Sequence, residues 1–278
     1  GCAPACQTAC RLALTDLTLD SSGSYDARMN ELLDLRNTGL FRMGTDNGQG
    51  GVATIAIAGV PRSGTSMIAA ILHEAGVYLG GNFEPGVFED RDIADAIEAD
   101  DPARLREIAS RNNAAHRIWG FKRPKSYARL NDVLAELRAP RVVITMRDPV
   151  AIAMRNSIST YKDTLDSIRF AAKSTLEVAR MLEALNYPAL VLSYEKAIAN
   201  PEGTCAALLT FIGMPADAAL VARMAARIQN APAAYLKATL LRYDGEISIS
   251  PDGAIAGWIM SNNSEFPPVD LVRGAETV

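Results

Sequence analysis

The run Gly59-Val60-Pro61-Arg62-Ser63-Gly64-Thr65-Ser66 stands between an apolar stretch from Val52 to Ala58 and a helical stretch from Met67 to Glu74. It reads as strand, tight loop, helix. Both glycines and the final hydroxyl keep the spacing G-x-x-x-x-G-K-[ST] of a phosphate loop, with Thr65 where that pattern has lysine. In such a turn the glycines let the backbone approach an anion, successive N–H groups point inward, and the following helix offers its positive end. A phosphate or sulfate group is therefore expected there. Arg62 would supply the charge that the absent lysine leaves out, through a planar fork suited to a pair of phosphoryl or sulfuryl oxygens. A strand-to-helix turn without a ligand is the plain alternative, and the glycine spacing together with the preceding strand weighs against it.

The rest of the chain supplies a frame for this loop. Strand-like runs near 52–58, 118–122, 141–146 and 188–193 are separated by stretches of helical spacing at 102–116, 126–138, 163–185, 202–212 and 216–229. That order predicts right-handed βαβ crossovers, hence a three-layer α/β fold with a central, mainly parallel sheet of P-loop type. With 278 residues, 49% of them apolar, the chain can bury such a core as one domain. The first fifty residues differ: helical spacing at 26–36 gives way to four glycines between Gly44 and Gly51. They are expected to form a partly flexible N-terminal extension, 1–50, ahead of an α/β domain over 51–278. Cys2, Cys6 and Cys10 share one helical face if that stretch is helical, but no second ligand pair stands at zinc spacing and Cys205 is alone in a helical run. Incidental thiols are expected, and no metal site. His73 and His116 read as structural.

Two further segments end strands in charge. Arg141 to Met146 is a short β-branched run followed by Arg147-Asp148-Pro149 and helical spacing. Asp148 suits an N-cap and Pro149 the first helical position, which puts Arg147 at the C-terminal end of a strand, where open α/β sheets bind ligands. Ile118 to Pro124 reads as another short strand, closed by Lys122, Arg123 and a helix-excluding proline.

These motifs resemble those of the sulfotransferases whose donor is 3′-phosphoadenosine 5′-phosphosulfate (PAPS). The PRSGTS run resembles their 5′-phosphosulfate loop, P-[KR]-S-G-[TS]-[TS], which implies Arg62, Ser63, Gly64, Thr65 and Ser66 as donor ligands. Arg147-Asp148-Pro149 resembles the second signature, R-[DN]-P followed by a helix, whose arginine and a serine eight residues later hold the donor's 3′-phosphate. Here the eighth residue is Arg155. Ser159, one turn on, shares its face, whereas Ser157 points roughly 200° around the helix. Arg155 is the expected phosphate ligand and Ser159 the weaker candidate, against the alternative that Arg155 is a solvated helix residue.

Trp119-Gly120-Phe121-Lys122-Arg123-Pro124 is similar to the W-G-x-K-x-P stretch of bacterial and carbohydrate sulfotransferases, which implies Lys122 near the acceptor and the transferring group. The histidine that cytosolic members use as base just after this lysine is replaced by Arg123 and Pro124. The acidic segment Phe83 to Asp92 resembles the acceptor loop of bacterial members, and Glu89, then Asp90, are the candidate bases. An equal reading is that Glu89, Asp90 and Asp92 merely enrich the first turn of a helix over Ile93 to Ala99. Val191 to Lys196, Asn200-Pro201-Glu202 and Cys205 to Ile212 resemble the Y-E-D…N-P-E…L-x-x-F-[IL]-G block. Tyr194 would then line the adenine pocket, or be packed for core reasons alone. Pro251 to Trp258 resembles the glycine-containing loop that closes over the donor. The resemblance spans roughly residues 52 to 258.

What the resemblance implies is sulfuryl transfer from PAPS to a hydroxyl of a carbohydrate, lipid or small metabolite, with no metal required. A P-loop kinase of a small metabolite is the alternative, as is a catalytically silent nucleotide-binding module. A kinase would want the loop lysine and a Walker-B acid, yet the run ending at Met146 meets Arg147 before any acid. The net charge of −4 argues against nucleic acid and long polyanionic acceptors, and favours a small-molecule or glycan acceptor of little charge. No run of eighteen apolar residues is present, so no transmembrane segment is expected and a cytoplasmic location is the default.

Overall fold

The computed structural model describes residues 38–44, 51–83, 86–160, 163–228, 243–250, 254–261, 272–273 and 276–277. The chain divides into two compact units, 1–38 and 39–278, and the elements below belong to the second. Cys2, Cys6, Cys10 and the helical spacing at 26–36 lie outside the described residues.

Five short strands make the central sheet: β1 (Leu40–Met43), β2 (Ala53–Gly59), β3 (Ile118–Lys122), β4 (Pro140–Met146) and β5 (Ala189–Ser193). Their spatial order is β1-β5-β4-β2-β3. β2 pairs in parallel with β3 and β4, and β4 with β5, while β1 runs antiparallel along the edge of β5. The inner strands β2 and β4 are apolar on both faces because both are covered. Ala56 and Ala58 of β2 and Val142 and Ile144 of β4 face one core; Ile55 and Ile57 of β2 and Val143 of β4 face the other. This period-two division of a continuous apolar run is what a buried parallel strand requires.

The first core is closed by α2 (Arg91–Glu98), α3 (Pro102–Ala115), α4 (Leu130–Ala135), α5 (Pro149–Thr160) and α6 (Thr164–Glu183). On the opposite face lie α1 (Thr65–Glu74), α8 (Pro201–Ile212) and α9 (Ala218–Ala225), with α7 (Tyr194–Ala199) following β5. The fold is thus three-layer α/β, as the alternation of strand-like and helical runs predicts. Because β2 lies between β3 and β4, the chain leaves β2 toward one side and returns to the other. The C-terminal ends of β2 and β4 flank this switch point, where open sheets form a ligand crevice.

Three details depart from the sequence reading. Leu40–Met43, inside the stretch read as an extension, adds the antiparallel edge strand; at four residues between Gly39 and Gly44 it is too short to announce itself by pattern. The stretch 126–138 is not one helix: a 3₁₀ turn over Pro124–Arg129 precedes α4, with the Ser126 hydroxyl donating back to the Arg123 carbonyl. Of the stretch resembling a closing loop, Ile255 to Trp258 belong to an antiparallel pair of β6 (Tyr243–Ile249) and β7 (Ile255–Ser261), and Pro251 to Gly253 lie outside the described residues. Ile247, Ile249 and Ile255 are exposed on it; the alternation Ile247-Ser248-Ile249 is the strand signal that the glycines obscured.

Candidate active site

The loop between β2 and α1 is held by close contacts that tolerate no extra atoms. A Cβ on Gly59 would lie 2.7 Å from the Thr145 carbonyl oxygen, and one on Gly64 would lie 2.4 Å from the Tyr194 ring. Gly64, with φ of 105°, is the N-cap of α1. The amides heading this helix have no intrahelical acceptor and present the positive end of its dipole. Ser63 is fully buried and its hydroxyl shares a 2.7 Å hydrogen bond with the Thr145 hydroxyl, tying the loop to β4. Its side chain is therefore a loop-to-strand tie. Arg62 takes a left-handed φ of 72°, an uncommon conformation for a side chain of this size, of the kind that clusters at functional loops.

Arg147 leaves the end of β4 and meets this loop. Its Nη1 donates to the Arg62 carbonyl at 3.1 Å, and its guanidinium stands 4.3 Å from the centroid of the Tyr194 ring. The Nε of Arg147 is buried and has no hydrogen-bond partner among the described residues. Tyr194 is thus packed between Gly64 of the loop and Arg147, so its ring has a core-like role at the border of the crevice. Asp148 caps α5 as its sequence position predicts, accepting from the Ala151 amide at 2.8 Å. The Glu195 carboxylate in turn accepts from the Asp148 amide at 3.0 Å. Arg155 is half-buried on α5. Ser157 is turned inward: its hydroxyl donates to the Ala153 carbonyl at 3.1 Å and pairs with Thr164 at 3.1 Å. The Ser159 side chain lies outside the described residues.

Among the described residues the deepest charge is Lys122, at the end of β3, with its side chain 3% exposed. Its ammonium donates to the Ser66 hydroxyl at 2.8 Å, to the Val87 carbonyl at 2.6 Å, and pairs with Glu89 Oε1 at 2.9 Å. Glu89 Oε2 accepts from Arg123 Nη1 at 2.7 Å, and Arg123 Nη2 also meets Glu98. A buried ammonium is tolerable only when charge and hydrogen-bond demand are both met. Here the acidic segment, the phosphate loop and β3 meet on one group to meet them.

Asp90, the second candidate base, is placed differently. It is 5% exposed and is the N-cap of α2, accepting from the Gly81 and Asn82 amides, each at 3.0 Å, and from the Ile93 amide at 3.2 Å. Its carboxylate is occupied by backbone. The two carboxylates that the sequence offered as first and second candidate base are therefore divided, Asp90 starting the helix and Glu89 facing Lys122. Sequence reasoning missed Arg123, Glu98 and Thr145. Successive strand residues point to opposite faces, so nothing in the pattern says that Lys122 and Arg123 share one carboxylate.

With this geometry in place, similarity to known proteins is informative. Residues 83–218 match the family model of the sulfotransferase family. Over these residues the chain is similar to that family. The matched stretch contains Glu89, Lys122, Arg147, Arg155 and Tyr194 and begins after the phosphate loop. Among solved structures, the sulfotransferase domain of the olefin synthase of Synechococcus PCC 7002 is 15% identical, over 64% of this chain and 79% of that one, with a TM-score of 0.45. Mouse sulfotransferase SULT7A1 complexed with PAP is 13% identical, over 64% and 65%, with a TM-score of 0.46. Sulfotransferase STF9 from Mycobacterium avium is 14% identical, over 63% and 67%, with a TM-score of 0.40. No curated protein sequence matches the chain.

Among the described residues, no helix is long and apolar enough to cross a membrane. Nor does any group of three or more His, Cys, Asp or Glu side chains there stand in metal-binding proximity.

Proposed function

We propose that the protein transfers a sulfuryl group from PAPS to a hydroxyl group of a carbohydrate, lipid or small metabolite. One observation carries the reading: the Lys122 ammonium joins Ser66 of the phosphate loop, at 2.8 Å, to Glu89, at 2.9 Å. A cation, an anion-binding loop and a carboxylate within one hydrogen-bond shell are the parts that in-line sulfuryl transfer needs. The buried, unpartnered Nε of Arg147 fits the same reading, since a guanidinium donor left without an acceptor beside an anion loop is suited to a phosphate oxygen.

In this scheme the loop amides, Thr65, Ser66 and Arg62 hold the 5′-phosphosulfate, while Arg147 and Arg155 hold the 3′-phosphate, with Tyr194 bordering the adenine. Ser159 is a further candidate on the same helix. The acceptor oxygen forms a new S–O bond as the S–O bond to the bridging phosphate oxygen breaks. The bridge electrons leave with 3′,5′-bisphosphoadenosine (PAP), and the acceptor's proton passes to the Glu89 carboxylate. Lys122 and Arg62 stabilise charge that grows on the sulfuryl and bridge oxygens, where preorganised donors count most.

The decisive experiment supplies radiolabelled PAPS and radiolabelled ATP separately, each with a pool of glycans, lipids and small metabolites. Label from PAPS is expected in a hydroxylated acceptor. Label from ATP alone, dependent on Mg²⁺, would make the protein a kinase; tight binding of PAP with transfer from neither donor would make it a silent nucleotide-binding module.

A further inference from the structure

A path of alternating charge runs from the surface to the phosphate loop: Glu98, Arg123, Glu89, Lys122, Ser66. Glu98 is the last residue of α2 and its side chain is 57% exposed, whereas the side chains of Arg123 and Glu89 are 24% and 23% exposed and that of Lys122 is 3% exposed. Glu89 stands just ahead of α2 and Glu98 ends it, so one guanidinium binds carboxylates at both ends of the same helix. The backbone of Arg123 is fixed from three directions. Its amide donates to the Ile57 carbonyl of β2 at 3.1 Å, and its carbonyl accepts from the Ser126 amide at 3.1 Å and the Ser126 hydroxyl at 2.7 Å.

We infer that Arg123 is a positioning residue for Glu89: by holding Oε2 it keeps the carboxylate in place when Lys122 turns from Oε1 to the transferring group. The inference rests on the reading of Glu89 as the base. Its physical basis is the unequal freedom of the two cations. Lys122 is a point charge on a flexible stem, and the proposed chemistry requires its ammonium to serve new oxygens. Arg123 is anchored by its own backbone and by Glu98, and its planar fork serves two carboxylates at once, which a lysine cannot do. Without Arg123, Glu89 would lose its remaining side-chain partner at the moment it must be aligned with an acceptor proton.

The test uses the full chain. Turnover is read as label leaving radiolabelled PAPS, both to water and to the acceptor pool, and donor-site integrity as the Kd of PAP by calorimetry. Arg123→Ala is expected to lower turnover by about 10²-fold, the scale of an ångström-level misplacement, with the Kd of PAP essentially unchanged. Added guanidinium ion should restore part of the loss, a response that damage to packing alone would not give. Glu98→Gln, which removes the outer anchor, should cost about two- to fivefold, in keeping with a solvent-exposed pair. In the Glu89→Gln background, Arg123→Ala should have almost no further effect, because it acts through that carboxylate. An equal loss in both backgrounds would overturn the inference, as would full turnover of Arg123→Ala. If Arg123→Ala fails to fold, Arg123→Lys and Glu98→Gln run the same cycle. Loss of turnover in Glu89→Gln with none in Arg123→Ala removes the positioning role alone, whereas full turnover of Glu89→Gln removes the base reading and this inference with it.

Discussion

Arg147 and Arg62 show how much of this site depends on single guanidinium groups. Arg147 bridges the loop carbonyl of Arg62 and the Tyr194 ring and keeps a buried Nε without a partner among the described residues. If it and Arg155 hold a 3′-phosphate, PAP should bind more tightly than AMP by roughly 2–4 kcal/mol for two charge-assisted contacts. Calorimetric titration of both nucleotides is the check. Arg147→Ala and Arg155→Ala should each remove much of the preference; Ser157→Ala should not, since that hydroxyl is already committed to Ala153 and Thr164. Equal affinities for PAP and AMP would sink the assignment. Arg62 carries a different signature, because its φ of 72° costs energy that glycine would not. Arg62→Gly should therefore leave stability unchanged or raise it by up to about 1 kcal/mol in urea unfolding, while turnover falls about 10²–10³-fold for a lost transition-state donor. A stability loss of that size would mean that the arginine side chain, not the backbone, holds the loop.

At the scale of elements, α2 separates two neighbouring carboxylates. Asp90 accepts three backbone N–H groups at the start of the helix and is almost fully buried. Asp90→Ala should therefore lower stability by roughly 2–4 kcal/mol, seen as a lower urea midpoint with an unchanged slope. Glu89→Gln keeps an acceptor toward Lys122 but cannot take a proton, so it is read in turnover, with an expected loss of about 10²–10⁴-fold. An unshifted midpoint for Asp90→Ala would contradict its role as a cap. The elements carrying the site were legible where a local signal was strong: β2, the phosphate loop and α1 through glycine spacing, and α5 through Asp148-Pro149. The edge strand β1 was not, because four residues carry too little pattern. Nor was the 3₁₀ turn after Pro124, whose hydrogen bonds depend on a serine hydroxyl reaching back to Arg123. The split between Glu89 and Asp90 needed the tertiary approach of Gly81 and Asn82, which no periodicity encodes.

Across the whole molecule, stability rests on two apolar layers separated by the sheet, and Cys205 reports on one of them. It lies in α8 with no exposed surface, packed with Leu208, Leu209 and Phe211 against Leu190 and Leu192 of β5. Burial, with the negative charge of Glu202 second, pushes its thiol from the usual 9.0 up to about 11. A thiol held neutral and out of solvent is a poor nucleophile. At pH 8, peptide-mapped alkylation of Cys205 should thus proceed only through opening of α8, with a urea dependence that follows global unfolding. The pH dependence has a definite sign. Between about 9 and about 11 the unfolded thiol has shed a proton that the native one still holds, so stability contributed by this group falls as pH rises through that window. Because lysines and tyrosines titrate there too, the informative quantity is the midpoint difference between the parent protein and Cys205→Ala. That difference should be largest at pH 8, favouring the parent, and should shrink steadily toward pH 11. A constant difference across the range would show that the thiol ionises alike in both states and that the layer behind β5 is open to water.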